Sequence, residues 1–443
     1  MVKNTARNAG KYTWTHKSRY KRISHRLRPS RTMMTRSQCA SRTNNFFREM
    51  PAEVFDMILD KLSLPDISVL TMVSKDLSMY IVDYMSTLSW KNKNIIQSFH
   101  SIGFHSTVCH YKHLGLLFKR CTLLLPTKER LKFLCCMFSK IPCFMLERCL
   151  EPYCSGFSSY GIFLRTLIAG WDELECNRVF TFLCDTTNLL QKIEAVITAK
   201  PGVRWYQEMQ LRSFCRQVLL DPWPNQSECQ FWLMHLLKPW PIVSQARLLF
   251  ILYGPVTAEG YLSWEDMVQR ELPYSALCEL AKVIVMLFSK AGLKGWSCYS
   301  MLSIFEELSV IPQPWHVENV AHLLVLCGNS LCYNVLASKA LNGRILEISR
   351  LIVHIILVCE KDGYHMSWAV KLVQQLYMVF STAPEKFYFI QHLENMFSLV
   401  TKEFFEYIVA GNHFGDRDTF QTLCILLDSS THFHTKFLHT LLK

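Results

Sequence analysis

No two cysteines are spaced CxxC, although the chain holds 18 cysteines in 443 residues. Without that spacing a zinc-finger or RING framework has no ligand set. There is no GxxxxGK[ST] or GxGxxG loop, no GxSxG elbow and no HExxH pair. The nucleotide-binding, serine-hydrolase and zinc-protease classes therefore lack their usual signatures. Apolar runs such as 283–288 and 351–359 fall short of the roughly 20 residues that span a bilayer. An apolar signal-peptide core is missing from residues 1–45. The cysteines are expected to be reduced and to pack as small hydrophobes. Charged residues make up only 19% of the chain, and strand-type alternation is almost absent.

Acidic residues are missing from one place in particular. Residues 1–45 hold twelve Lys and Arg and no Asp or Glu. The remaining 36 basic residues face all 36 acidic ones, so the rest of the chain is formally neutral. A neutral body argues against a nucleic-acid surface outside the tail. The tail is expected to be disordered. Its densest stretch carries Lys17, Arg19, Lys21, Arg22, Arg26, Arg28 and Arg31. These residues are candidates for a nuclear-localisation patch; a solubilising extension and a mitochondrial transit peptide are the other readings.

Half of the chain is hydrophobic, and from about residue 107 it reads as helix after helix. Pro and Gly breakers separate segments such as 172–198, 204–220, 242–253, 315–327, 344–360, 386–400, 402–411 and 416–428. Ser227 and Ser263 are candidate N-caps. Residues 246–254 and 321–328 are alike at a separation of 75 residues. The expected class is all-α: a small N-terminal helical unit, then a large helical domain with armadillo- or HEAT-like repeats. The expected boundaries are a tail at 1–45, the small unit at 46–90, a linker at 91–106 and the body at 107–443.

The small unit carries the sharpest pattern. Pro51 opens a helix, because its fixed φ suits the first turn and its missing N–H has no partner there in any case. Glu53 and Asp56 lie where the helix dipole favours negative charge. Val54, Phe55, Ile58, Leu59 and Leu62 recur on one face. Pro65 and Asp66 open a second helix, with Ile67, Leu70, Val73, Leu77 and Ile81 as its stripe and that of a possible third. About forty residues are too few to stabilise themselves well. The unit is expected to lean on the rest of the chain or on another protein.

The pattern MPxEVFxxILxxL followed by PDIxxLxxVSK resembles the F-box. Met50 stands where leucine is common, and Leu77 near where many members carry tryptophan. Runs at 116–130, 169–176 and 238–241 resemble one vertebrate branch of that family. The resemblance implies a non-enzymatic substrate-recognition subunit of a Skp–cullin–F-box ubiquitin ligase. It implies a Skp-type adaptor as direct partner, a cullin and RING subunit as indirect ones, and a protein substrate of unknown identity. The adaptor contacts carried over are Pro51, Val54, Phe55, Ile58, Leu59, Leu62, Ile67, Leu70 and Val73. A scaffold that binds the adaptor without assembling a ligase is the alternative. The resemblance also implies a nuclear, meiotic role, with the cytoplasm as a second location.

Other candidates are weaker. Trp223, Trp232 and Trp240 sit in or between Pro-Trp-Pro clusters and form either helix corners or an aromatic substrate surface. Lys119, Arg120, Lys128 and Arg130 surround an apolar run that offers an edge to an acidic partner. Glu306 and Glu307 read as a solvated face. The histidines His432, His434 and His439 have only Cys424 nearby as a possible co-ligand. Cys135, Cys136, Cys149 and Cys154 read as packing residues. No cofactor, metal or catalytic set is expected.

Overall fold

A computed structural model describes residues 50–96, 104–146, 155–289, 296–411 and 417–441. They are helical apart from turns and an isolated bridge between Val256 and Leu262. The basic tail, with all seven residues of the nuclear-localisation candidate, lies outside the described residues. The chain divides into two compact units, Met1–Glu147 with Ile162–Phe182, and Arg148–Gly161 with Leu183–Lys443. A single body running from 107 was expected. Instead the helix Phe104–Cys121 belongs with the N-terminal unit, because it packs against the helix Leu64–Leu70.

The first unit contains α1 (Ala52–Lys61), α2 (Leu64–Leu70), α3 (Lys75–Met85), α4 (Leu88–Lys91), α5 (Phe104–Cys121), α6 (Thr127–Phe138) and α7 (Pro142–Met145). Helices α8 (Ser155–Ile168) and α9 (Glu173–Thr187) each contribute part of their length to it. Phe118, Phe138 and Phe163 form its aromatic core, with centroids 4.8–5.8 Å apart. Edge-to-face and tilted rings at this range add attraction beyond area burial. The segment 91–96, expected as linker, is anchored: Ile95 is buried, and its carbonyl accepts from the Tyr111 hydroxyl at 3.1 Å.

The second unit continues with α10 (Leu189–Thr198), α11 (Trp205–Phe214), α12 (Gln226–Leu237), α13 (Ile242–Tyr253), α14 (Asp266–Gln269), α15 (Tyr274–Ser289) and α16 (Cys298–Leu308). It ends with α17 (Val317–Cys327), α18 (Asn329–Leu341), α19 (Ile345–Lys361), α20 (Met366–Tyr377), α21 (Ala383–Gly411) and α22 (Arg417–Leu441). Alternate helices pack in a row, α11 on α13, α13 on α15, and so on through α17 and α19 to α21. Helices α18, α20 and α22 make a second row. Two rows of helices stacked on nearest neighbours form a solenoid. The similar segments 246–254 and 321–328 fall on α13 and α17, equivalent places in the first row.

Several boundaries differ from expectation. The helix expected over 172–198 breaks at Asn188, whose φ of 52° lies in the left-handed region that asparagine tolerates. The expected helices 386–400 and 402–411 are one, α21, since no Gly or Pro interrupts them. Ser227 lies inside α12, which follows Asn225. Ser263 is buried ahead of α14 rather than at its N-cap, where Glu265 stands. At Gly161 the backbones come close: a Cβ there would sit 2.0 Å from the Gln217 carbonyl oxygen, so only glycine fits.

Buried polar groups hold the solenoid's turns. Glu208 accepts from the Gly202 N–H at 3.1 Å and from Trp264 Nε1 at 3.0 Å, and lies 3.9 Å from Arg247 Nη2. Arg247 Nη1 donates to the Ile197 carbonyl at 2.8 Å. Asn319 is fully buried; its Oδ1 accepts from Leu272 N–H and its Nδ2 donates to the Met267 and Arg270 carbonyls. Each satisfies backbone groups that a helical stack leaves open between repeats.

Candidate partner-docking site

The three helices of residues 50–85 are set by local signals. Pro51 precedes α1, and its carbonyl accepts from Val54 and Phe55 N–H at 3.1 and 3.2 Å. Ser63 caps α2 by accepting from Asp66 N–H, and Ser74 caps α3 by accepting from Leu77 N–H at 3.2 Å. Serine side chains satisfy N–H groups that have no intrahelical partner.

Helix α1 is tied to α3 by two tyrosine–aspartate bonds one turn apart. Tyr80 Oη donates to Asp56 Oδ1 at 2.8 Å and Tyr84 Oη to Asp60 Oδ1 at 2.7 Å. Burial and the Asp56 carboxylate push the Tyr80 hydroxyl up to about 12, and burial and Asp60 raise that of Tyr84 also. Both phenols therefore keep their protons and donate at neutral pH. The Phe55 ring packs edge-on to Tyr80 at 4.9 Å. On the other side α2 lies against α5, where Arg120 Nη1 donates to the buried Ser68 hydroxyl at 3.0 Å. The small unit does lean on a neighbouring helix of its own chain.

This packing sorts the nine candidate contact residues. Phe55, Leu59 and Ile67 are no more than 3% exposed and form the hairpin's own core. They offer little surface to a partner in this arrangement: Phe55 packs on Tyr80 of α3, and α2, which carries Ile67, lies against α5. Leu62 and Leu70 are half-buried. Pro51, Val54, Ile58 and Val73 are exposed. Three residues that sequence reasoning passed over join them: Met57, Val69 and Met72. The result is two apolar triplets, Val54–Met57–Ile58 and Val69–Met72–Val73, at i, i+3, i+4 spacing and between 39% and 68% exposed. Such spacing puts the first triplet on one face of α1; in the second, Val69 lies on the last turn of α2 and Met72 and Val73 in the turn that follows it. Their signal in the sequence is the second apolar position beside each core position, which makes the stripe wider than one covered face requires.

A family model described as "FBXO47, ARM repeats" matches residues 185–443. F-box only protein 47 of mouse is 45% identical to this chain over 401 residues, 89% of each chain. F-box only protein 47 of human is 43% identical over 418 residues, 93% of this chain and 92% of its own. The chain belongs to the F-box only protein 47 family. It is an F-box protein with a helical-repeat domain. No solved structure matches it. The armadillo-repeat match of the family coincides with the second unit, which takes up the chain again at Leu183.

The remaining candidates resolve differently. Trp223 and Trp232 stack on one another at 5.6 Å and are buried, and Trp240 is half-buried with Nε1 donating to the Leu236 carbonyl. The two stacked rings are the core of a helix corner, and their burial leaves no aromatic surface there for a substrate. Lys119 Nζ donates to the Ala169 carbonyl, and Arg130 donates to the Leu123 and Leu125 carbonyls. With Arg120 on Ser68, three of the four cations of that run hold turns. Glu306 is not simply solvated, since it pairs with Lys339 and Arg344 at 3.4 and 3.1 Å.

His432 and His434 diverge, the first to Glu360 at 3.0 Å and the second to Glu394 at 2.9 Å. Among the described residues no His, Cys, Asp and Glu side chains converge to hold a metal, and no helix is long and apolar enough to cross a membrane. Burial raises the Cys135 thiol, and its neighbour Cys136 is exposed. Cys149 and Cys154 lie outside the described residues.

Proposed function

We propose that this chain is the substrate-recognition subunit of a Skp–cullin–F-box ubiquitin ligase. The reading rests on the two exposed apolar triplets of α1 and of α2 with its following turn. A surface of six large apolar side chains around a capped, internally satisfied hairpin is what a partner-binding site requires. An adaptor that covers it removes that area from water, the main favourable term in association. The repeat domain then holds a protein near the ubiquitin-conjugating enzyme, and the gain comes from effective concentration and orientation. The chain itself supplies no covalent step. We further propose that the basic tail directs it to the nucleus, where meiotic cells use it.

Co-expression with a Skp-type adaptor, followed by size-exclusion chromatography, tests the docking face. The wild-type chain is expected to co-elute with the adaptor. Replacing Ile58→Asp together with Val73→Asp is expected to abolish co-elution with the helical circular dichroism unchanged, because both side chains are exposed in the free chain. A complex that survives the double substitution refutes the assignment. Adding a cullin to the adaptor complex separates a ligase from a scaffold: only a ligase subunit brings the cullin into the same peak. Deleting residues 1–45 is expected to move a tagged chain from nucleus to cytoplasm, read by microscopy.

A further inference from the structure

The second unit contains a cleft of about 750 Å³. It is bounded by the start of α17, by α19 and by the late turns of α21. His316 and Glu318 come from the start of α17 and His354 from α19; Trp315 and Leu351 are buried in its walls, and Tyr407 of α21 is exposed at its edge.

The charges around the cleft do not cancel. Lys339 pairs with Glu306 and Glu347, Arg344 with the same two carboxylates, and Arg350 with Glu403 at 3.2 Å. That matches three cations with three carboxylates. Glu318 is a fourth, and among the described residues no Lys or Arg pairs with it. Its neighbours are two imidazoles, with His316 Nδ1 at 2.5 Å and His354 Nδ1 at 3.1 Å. Burial opposes the charge on Glu318, yet His354 and His316 outweigh it and hold the carboxyl at about 2.

Both imidazoles turn Nδ1 to the Glu318 carboxylate, which leaves His354 Nε2 as the buried atom of this cluster with no partner. The His354 side chain is only 6% exposed. Buried polar atoms are nearly always satisfied, and an unpartnered buried nitrogen lining a cleft points to a missing partner. His354 Nδ1 faces the carboxylate and donates to it, which leaves Nε2 to accept, so a partner seated there, beside a carboxylate that no Lys or Arg pairs with, must bring donors. An anion would meet Glu318, and an apolar group would leave His354 Nε2 buried and unsatisfied. A guanidinium carries five donors in one plane, and an ammonium three on a flexible stem.

We propose that this cleft seats a basic side chain, arginine or lysine, from an extended segment of a protein partner. The cation lies against Glu318 and His354, and the aliphatic stem runs along Trp315 and Leu351. As a binding site this stands on the cleft alone; as the place where a substrate is recognised it rests on the function proposed above.

The test uses the full-length chain and fluorescein-labelled pentapeptides with one central arginine, lysine, norleucine or glutamate in a glycine–serine background, read by anisotropy. The arginine and lysine peptides are expected to bind about tenfold tighter than the norleucine peptide, as a charge-assisted bond in a partly buried site provides. Glu318→Gln is expected to erase that preference. Val310→Lys, at an exposed position lining the cleft, places a tethered cation there and is expected to weaken the basic peptides while sparing norleucine. It keeps the test decisive if Glu318→Gln does not fold. Equal binding of arginine and norleucine peptides, tighter binding of glutamate, or an intact preference in the folded variants overturns the proposal. Adaptor co-elution, measured on the same preparations, reports separately on the docking reading.

Discussion

Single residues in this protein separate into those that hold the fold and those left for a partner, and chemistry type alone does not tell them apart. Phe55 and Val54 are adjacent, both apolar and both in the F-box pattern; one is buried under Tyr80 and the other is exposed. Glu208 looks in sequence like any helical glutamate, yet it is buried and accepts from Gly202 and Trp264 beside Arg247. Glu208→Ala is expected to cost about 3–5 kcal/mol, since it leaves Arg247 a buried charge without its counterion. Urea denaturation monitored by circular dichroism measures it. A cost within 0.5 kcal/mol, the usual range of an exposed substitution, would show the pair to be idle.

Among the elements, α22 is one whose attachment depends on pH. It packs on α19 and α20, and it is held to α21 by a phenylalanine ridge of Phe433 and Phe437, in which Phe433 stacks on Phe397, and by His434 on Glu394. The hydrogen bond to Glu394 raises the His434 imidazole above its ordinary 6.5, against the effect of burial. A group whose folded value lies above its unfolded one stabilises fully below the unfolded value. That contribution is lost as pH rises through the folded value. Hydrogen exchange across α22 is therefore expected to speed up as pH rises from below 6.5 through the raised value of His434, after correction for the intrinsic exchange rate. His434→Gln is expected to reduce this dependence, with the His432–Glu360 contact left in place. A corrected rate that is flat in the wild type would place the helix's attachment in the phenylalanine ridge alone. The histidines of this helix were legible as a cluster, but their partners Glu360 and Glu394 lie 72 and 40 residues away in sequence.

Across the whole molecule, two compact units carry two different kinds of surface. The first presents apolar triplets on short capped helices, and the second presents a stacked array with a polar cleft. Substitutions in the two are expected to act on different readouts. Ile352, buried in α19 between α17 and α21, is expected to cost about 2–5 kcal/mol when cut to alanine. That loss belongs to the thermal transition of the array, and adaptor co-elution at low temperature is expected to persist. Loss of adaptor capture on Ile352→Ala would contradict the assignment of docking to α1 and α2.

The sequence by itself determined the helical class, the F-box and the repeat domain. Each of these depends on a local pattern: Pro at helix starts, apolar residues at three- and four-residue spacing, and breakers between helices. It also determined the rough similarity of α13 and α17, because equivalent helices of a solenoid bury the same kind of face. Only the tertiary structure decided which side of each stripe is covered. The F-box stripe is wide enough for two neighbours, and the arrival of α3 and α5 chooses Phe55, Leu59 and Ile67 for the core and leaves Met57, Val69 and Met72 outside. In the same way the tryptophans of the Pro-Trp-Pro clusters were visible, but their burial depends on how the corner folds back. The Glu318 cluster joins residues from α17 and α19 whose spacing carries no motif, and charge balance at one point in space is a sum over side chains that only packing brings together.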